Sequence, residues 1–291
     1  MRITLLLALI VCFPWTGARA QSDYRPVATY SIVARDSVTG EIGVAVQSHW
    51  FSVGSIVSWA EAGTGAVATQ SFIDPRYGPL GLELMRLGRS APEALRALVS
   101  TDADSAVRQL GMVDTAGRAV CFTGSRNIQA AGCLTGAGYA VQANMMERPT
   151  VWPAMARAFE SAKGDLAERM LAALEAAERE GGDIRGRQSA ALVVVRRTPT
   201  GRTWADRTFD LRIEDHPNPI AELRRLVTLA RVYQHMNAGD EHMTRNDIAK
   251  ALESYGAATS LVPDSATNGE TAFWTGITLV GAGRVEEGIP Y

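Results

Sequence analysis

The feature that most constrains this chain is a set of short segments that are apolar at nearly every position. Thr29 to Arg35 (Thr-Tyr-Ser-Ile-Val-Ala-Arg), Ile42 to Gln47 and Gly65 to Gln70 are β-branched, small or aromatic along most of their length. A strand with one wet face alternates, so both faces of these strands must be covered. Asp36-Ser37-Val38-Thr39-Gly40 is a turn between the first two, which read as a hairpin. Ser55 to Glu61 reads as a further strand, parted from the next by Gly63 and Gly65.

Helical spacing takes over at Leu80 to Leu87 and at Ala91 to Val99, with Ser90 and Pro92 as start signals. Ala106 to Val113, Ala119 to Thr123 and Tyr139 to Ala143 return to strand character. Trp152 to Ala162 and Leu166 to Glu180 are amphipathic helices, and Ala190 to Val195 and Phe209 to Ile213 are late strands. Strands come in blocks and helices in pairs. The expectation is an α+β chain with two stacked sheets and a helical layer outside each, a four-layer αββα sandwich. It should occupy residues 29–216. After Asp215-His216-Pro217-Asn218-Pro219 the chain reads as wholly helical, so residues 220–291 are expected to form a small all-α tail. Ala251-Leu252, Tyr255, Ala258, Trp274 and Gly283 to Gly288 resemble a tetratricopeptide unit and the start of another, spaced close to the roughly 34-residue period of that repeat. So short an array cannot bury its own apolar face, so it should pack on the core or on another subunit, and a homo-oligomer is compatible with this.

The N-terminus has a different job. Met1-Arg2 precedes an apolar run, Ile3 to Phe13, and Ala18-Arg19-Ala20 stands before Gln21. The run is too short for a membrane span, so residues 1–20 read as a signal peptide and residues 21–28 as a short pre-segment. The expected location is periplasmic or secreted, with no membrane span after processing. Cys121 and Cys133 survive that processing. They are either cross-strand partners in a hairpin centred on Asn127, oxidised outside the cytoplasm, or two small buried thiols.

Several chemistries are set aside by the residues themselves. The net charge is −2 with no basic run interleaved with aromatics, which argues against a nucleic-acid partner. The four histidines, His49, His216, His235 and His242, form no His-Glu-x-x-His pair. Gly136-Ala137-Gly138 lacks the ending of a phosphate loop. No metal or other cofactor is expected.

Thr29 is the residue with a chemical reading. A threonine hydroxyl is a poor nucleophile without a base beside it. If the bond before Thr29 were cut, its own α-amine, titrating near ~8, would be that base. The alternative, that Thr29 is only a β-branched strand residue, stays open at this level. Ser48 and His49 end the second strand, where side chains approach Thr29. Asn144 ends another strand and is a candidate oxyanion donor, while Asp183, Gln188 and Ser189 at the entry to a late strand are candidates for orienting the nucleophile.

Thr29 to Asp36, Gly43 to Ser48, Ala62 to Gln70, Tyr77-Gly78-Pro79, Gly138 to Asn144 and Gly186 to Ala191 together resemble a bacterial family, the domain of unknown function numbered 1028, over roughly residues 29–215. The resemblance implies an Ntn-hydrolase-like fold. Members often begin Met-Thr-Phe-Ser-Ile, so that loss of methionine exposes the threonine. Here Gln21 to Ala28 would still precede Thr29 after signal removal, so a second cut at Ala28-Thr29 is required. The proteasome β-subunit, a relative in fold, keeps an acid ending its second strand and a lysine on its third, where this chain has Ser48 and Trp59 or Glu61. The tail resembles an appended module described as peptidoglycan-binding. Two functions follow as expectations. One is a hydrolase of a small amide or peptide bond; the other is a non-catalytic envelope protein that binds peptidoglycan or a protein partner through the tail.

Overall fold

The computed structural model describes residues 28–291; the expected signal and residues 21–27 of the pre-segment lie outside the described residues. The elements run β1 (Thr29–Arg35), β2 (Ile42–Ser48), α1 (Gly54–Val57), β3 (Ser58–Glu61), β4 (Gly65–Ser71), α2 (Tyr77–Arg86) and α3 (Ala91–Thr101). Then follow β5 (Arg108–Asp114), β6 (Ala119–Thr123), β7 (Gly132–Gly136), β8 (Tyr139–Asn144), α4 (Val151–Ser161), α5 (Leu166–Arg179), β9 (Ser189–Val195) and β10 (Arg207–Ile213). Helices α6 (Pro219–Thr244), α7 (Ile248–Leu261), α8 (Glu270–Gly281) and α9 (Val285–Gly288) complete the chain.

The strands make two antiparallel sheets, a six-stranded one ordered β10-β9-β2-β1-β8-β7 and a four-stranded one ordered β3-β4-β5-β6. The lack of alternation in β1 has a direct cause. Tyr30, Ile32 and Ala34 pack with Met155, Phe159, Met170 and Leu174 of α4 and α5. Val33 faces the other way, with Val44, Val46, Ala66, Ala68 and Val113 between the sheets. In β4, Val67 turns towards Leu82, Met85 and Leu95 of α2 and α3. Each central strand thus has protein on both sides.

Local signals start the helices as expected. Ser90 and Glu93 form a reciprocal cap on α3, with Ser90 N–H donating to Glu93 Oε2 at 2.8 Å. Asp165 caps α5 through the Glu168 amide at 2.9 Å.

Three local expectations need correction. Ser55 to Glu61 is not one strand: Gly54–Val57 is a helical turn and only Ser58–Glu61 pairs, with β4. The backbone at Gly54 lies so close to β9 that an added Cβ would sit 2.5 Å from that of Ala191, which leaves no room for a strand side chain there. The edge strand β7 was not expected, because Gly132 and Gly136 dilute its pattern and much of it is exposed. Cys121 and Cys133 are joined in a disulfide, but not across a hairpin. They lie on β6 and β7, the edge strands of different sheets, so the bond staples one sheet to the other. The intervening loop crosses between sheets, held by Asn127, whose Nδ2 donates to the Arg108 and Gly124 carbonyls at 2.9 Å each.

Helix α6 is continuous with the main core. Ile220, Leu223 and Val227 join the α4/α5 cluster, and Arg224 pairs with Glu168 and Glu175. Its far half packs on α7, where Tyr255 is buried and donates to Asp240 at 2.6 Å. Among the described residues no helix is long and apolar enough to cross a membrane.

Reducing the Cys121–Cys133 bond, or replacing both residues by alanine, is expected to cost about 3 kcal/mol, the chain-entropy value for so short a loop. Urea unfolding with and without reductant measures it. Burial and the Asp240 carboxylate push the Tyr255 hydroxyl up to about 12. Because the folded value lies above that of the unfolded chain, this contribution is complete below pH ~10 and is lost as pH rises through about 12. Thermal melts across that window should show a loss of stability that is reduced in Tyr255→Phe.

Candidate active site

The register of three strands brings the candidate residues together. Thr29, first in β1, stands opposite Ser48, last in β2, on one side and Asn144, last in β8, on the other. Ser48 in turn stands opposite Ser189, first in β9. Alternation places all four side chains on the face that meets the other sheet, and all four are fully buried.

Thr29 Oγ1 donates to Ser48 Oγ at 3.1 Å, and Ser48 Oγ donates to the carbonyl of Ala28. The same carbonyl accepts a second hydrogen bond, from the Arg185 guanidinium at 3.0 Å. Asp183 aims that guanidinium: its carboxylate accepts from Arg185 Nη2 at 3.0 Å and Nε at 3.2 Å. Asp183 also accepts the His49 backbone N–H at 2.9 Å, which ties the end of β2 to the loop before β9. Ala28 and Thr29 are completely buried while the bond between them is intact.

The Thr29 carbonyl is held separately. It accepts from Gln70 Nε2 at 3.0 Å and, at 3.5 Å, from Asn144 Nδ2. Both of these amides also donate to Gln109 Oε1, at 2.7 and 2.9 Å. Gln109 Nε2 continues to the Ala143 carbonyl at 2.8 Å and Thr123 Oγ1 at 2.9 Å, while Gln70 Oε1 accepts from Ser31 Oγ at 2.5 Å. An uncharged amide network therefore spans the two sheets beneath Thr29.

The remaining candidates have other partners. Ser189 Oγ accepts from Val53 N–H at 3.1 Å and donates to the Trp50 carbonyl, shaping the loop after β2. The exposed His49 ring lies 3.3 Å from the Arg187 carbonyl. Gln188 contributes its backbone, donating to Ser48 O at 3.2 Å. On the opposite face of β1, Tyr30 donates to Glu178; burial first, then Glu178, hold its phenol well above the ordinary range. No group of three or more His, Cys, Asp or Glu able to hold a metal occurs among the described residues. A cavity of about 440 Å³ opens elsewhere, lined by Ser58, Glu61, Arg86, Asp206 and Arg212.

Gln70, Gln109 and Arg185 carried no role in the sequence reading. The available signal was a lone amide in each of the largely apolar segments containing Gln70 and Gln109. Arg185 offered only its place two residues after Asp183 in a glycine-rich loop.

Residues 29–223 match the family described as "Family of unknown function (DUF1028)". The chain belongs to this family. The DUF1028 match begins on Thr29 and ends in the first turns of α6, so α7 to α9 lie outside it. Among solved structures, protein SPO2555 from Silicibacter pomeroyi, itself assigned to DUF1028, is 34% identical with a TM-score of 0.62. That match covers 70% of this chain and 89% of the other. No protein of curated function matches at a significant level.

Replacing Gln109 by leucine would take one acceptor from each of the buried Gln70 and Asn144 amides, leaving both to share the Thr29 carbonyl. The expected cost is about 3 kcal/mol, read by urea unfolding. A change below about 0.5 kcal/mol would show the network to be dispensable.

Proposed function

We propose that this DUF1028 protein is an exported hydrolase of the N-terminal-nucleophile type, acting on a small amide or peptide bond through Thr29. The observation that carries this reading is the placement of the Thr29 hydroxyl, hydrogen-bonded to Ser48 at the start of a central strand, beside a carbonyl held by Ser48 and Arg185. The succession of α4/α5, six-stranded sheet, four-stranded sheet and α2/α3 supports the αββα arrangement of that class. The inter-sheet disulfide supports an oxidising compartment.

In this mechanism the bond before Thr29 is opened first. The freed α-amine, with a pKa near ~8, then takes the proton from Oγ as it attacks the substrate carbonyl. Asn144 is spent on Gln109 and the Thr29 carbonyl, so its part is to hold Thr29 in place. Asp183 orients Arg185, and His49, Gln188 and Ser189 shape the surrounding loops.

A second reading, docking of the tetratricopeptide-like tail to peptidoglycan or a protein, is favoured by α8. Phe273, Trp274, Ile277 and Val280 are large, apolar and at least 40% exposed there. Sedimentation with purified peptidoglycan, comparing the full chain with Phe273→Ser/Ile277→Ser, tests it; equal recovery of both would count against α8.

For the hydrolase, a β-lactone probe should add one acyl group to the processed protein, mapped to Thr29 by peptide mass. Thr29→Ala should take up none, and Thr29→Ser should still react. Absence of an adduct in a protein whose chain begins at Thr29 would end this reading.

A further inference from the structure

The two sheets differ in width. β3, the edge of the four-stranded sheet, lies over β2 and β9 of the six-stranded one, and β10 lies beyond that edge. The mismatch leaves β10 and the adjoining end of β9 without a covering strand, and the cavity of about 440 Å³ opens there. Val193 and Val195 form its floor, and Trp59, Pro79 and Leu82 line the side made by β3 and α2. It is separate from the Thr29 row, since Val193 and Val195 stand four and six residues along β9 from Ser189.

Three acids and three arginines border this cavity, and all but one are held by close partners. Arg86 is clasped by Glu61 and Glu83, and Arg207 pairs with Asp210. Asp206 accepts from the Thr200 N–H at 2.8 Å and from Thr200 Oγ1 at 2.7 Å. Arg212 differs. Its nearest carboxylate, Asp210, is 3.6 Å away, beyond hydrogen-bond length, and is already engaged by Arg207. The Arg212 guanidinium makes no hydrogen bond among the described residues. Its direction is nevertheless fixed. Phe209 and Ile213 pack on the helical side of β10, so strand period turns Arg212 towards the cavity. Its stem lies along Gly54, where an added Cβ would meet Arg212 Cγ at 3.4 Å and Cδ at 3.5 Å.

We propose that this cavity binds a small monocarboxylic acid with an apolar body, its carboxylate on Arg212 and its body against Val193, Val195 and Leu82. The assignment is independent of the reading of Thr29 as nucleophile. A guanidinium with donors to spare matches the two oxygens of a carboxylate, and a packed stem means little ordering is lost when the acid arrives. The apolar floor favours a hydrocarbon or aromatic body, and the volume falls in the range of small-molecule sites. The remaining charges limit the ligand to one negative charge. With Arg212 used, a second would face Glu61, Glu83 and Asp206 at the cavity wall, beside arginines that already have carboxylate partners.

The test titrates the full chain with phenylacetate, and with phenylacetamide as its neutral isostere. Heat is followed by calorimetry and the Trp59 indole N–H by NMR, assigned through its loss in Trp59→Phe. Phenylacetate is expected to bind saturably, with a Kd of about 1 mM or tighter, and to move the Trp59 signal. Phenylacetamide and inorganic phosphate are each expected to bind at least about tenfold more weakly. Arg212→Gln should weaken phenylacetate at least about tenfold and bring it level with the amide. Thr29→Ala should bind phenylacetate as the wild type does. If Arg212→Gln does not fold by circular dichroism, the comparison of acid with amide on the unaltered chain decides. Absence of saturable binding, equal binding of the amide or of phosphate, an unmoved Trp59 signal, or an Arg212→Gln affinity equal to wild type would each overturn the proposal. Loss of binding in Thr29→Ala would place the acid in the Thr29 row and overturn it too. Failure of β-lactone labelling, by contrast, would end the hydrolase reading and leave this cavity untouched.

Discussion

The register of β1 between β2 and β8 is the constraint on which the rest of this structure depends. Because Thr29 pairs with Ser48 on one side and Asn144 on the other, the ends of three strands fall in one row on one face of the sheet. A slip of one residue would turn every side chain of β1 to the opposite face. Tyr30, now beneath α5, would enter the space between the sheets, and Thr29 would leave it. Burial of both faces makes that slip costly. Ile32 and Val33 are each fully buried in different clusters and differ in what they touch. The same apolar packing that holds the fold therefore also fixes where the polar row sits.

That row is supported from below by amides and not by charges. Gln70 and Gln109 reach from the four-stranded sheet to the Thr29 and Ala143 carbonyls of the other. A buried neutral amide loses less on desolvation than a carboxylate or an ammonium would, provided its hydrogen bonds are made. The charged groups stand at the rim: Arg185 is partly exposed, and the buried Asp183 beside it is neutralised by two guanidinium contacts and by the His49 and Arg185 amides. On the far edge the Cys121–Cys133 bond ties the sheets together two residues from Thr123, which the amide network also uses. The inter-sheet space is therefore anchored covalently near one end of the polar network and by strand register at the other.

Much of the architecture was legible in the residues. Strands without alternation predicted covered faces, and Ser90 and the glycine pair at 181–182 marked helix ends close to where α3 starts and α5 stops. The errors have physical causes. Ser55 to Val57 carries strand-like residues but follows a glycine pressed against β9, and tertiary crowding outweighs local propensity there. Strand β7 is glycine-interrupted and half exposed, so its pairing with β8, and not its composition, makes it a strand. The symmetric spacing of Cys121 and Cys133 suggested a hairpin, yet the loop between them changes sheets. Of the candidate site residues, Thr29, Ser48 and Asn144 meet in one row because each ends or begins a recognisable strand. Gln70, Gln109 and Arg185 could not be found in this way, since they reach the row from another sheet and from a loop.

By itself the sequence determined that this is an α+β chain with buried sheets and a helical C-terminal region, the ends of its central strands, and the one hydroxyl residue that opens the first of them. Those properties follow from side-chain period and turn chemistry, which act over a few residues. Only the tertiary structure decided which sheet each strand joins, that the two cysteines meet across sheets, and that Arg185, far along the chain from Ala28, ends on its carbonyl. Contacts between distant segments depend on register and crossover, and a local pattern does not encode them.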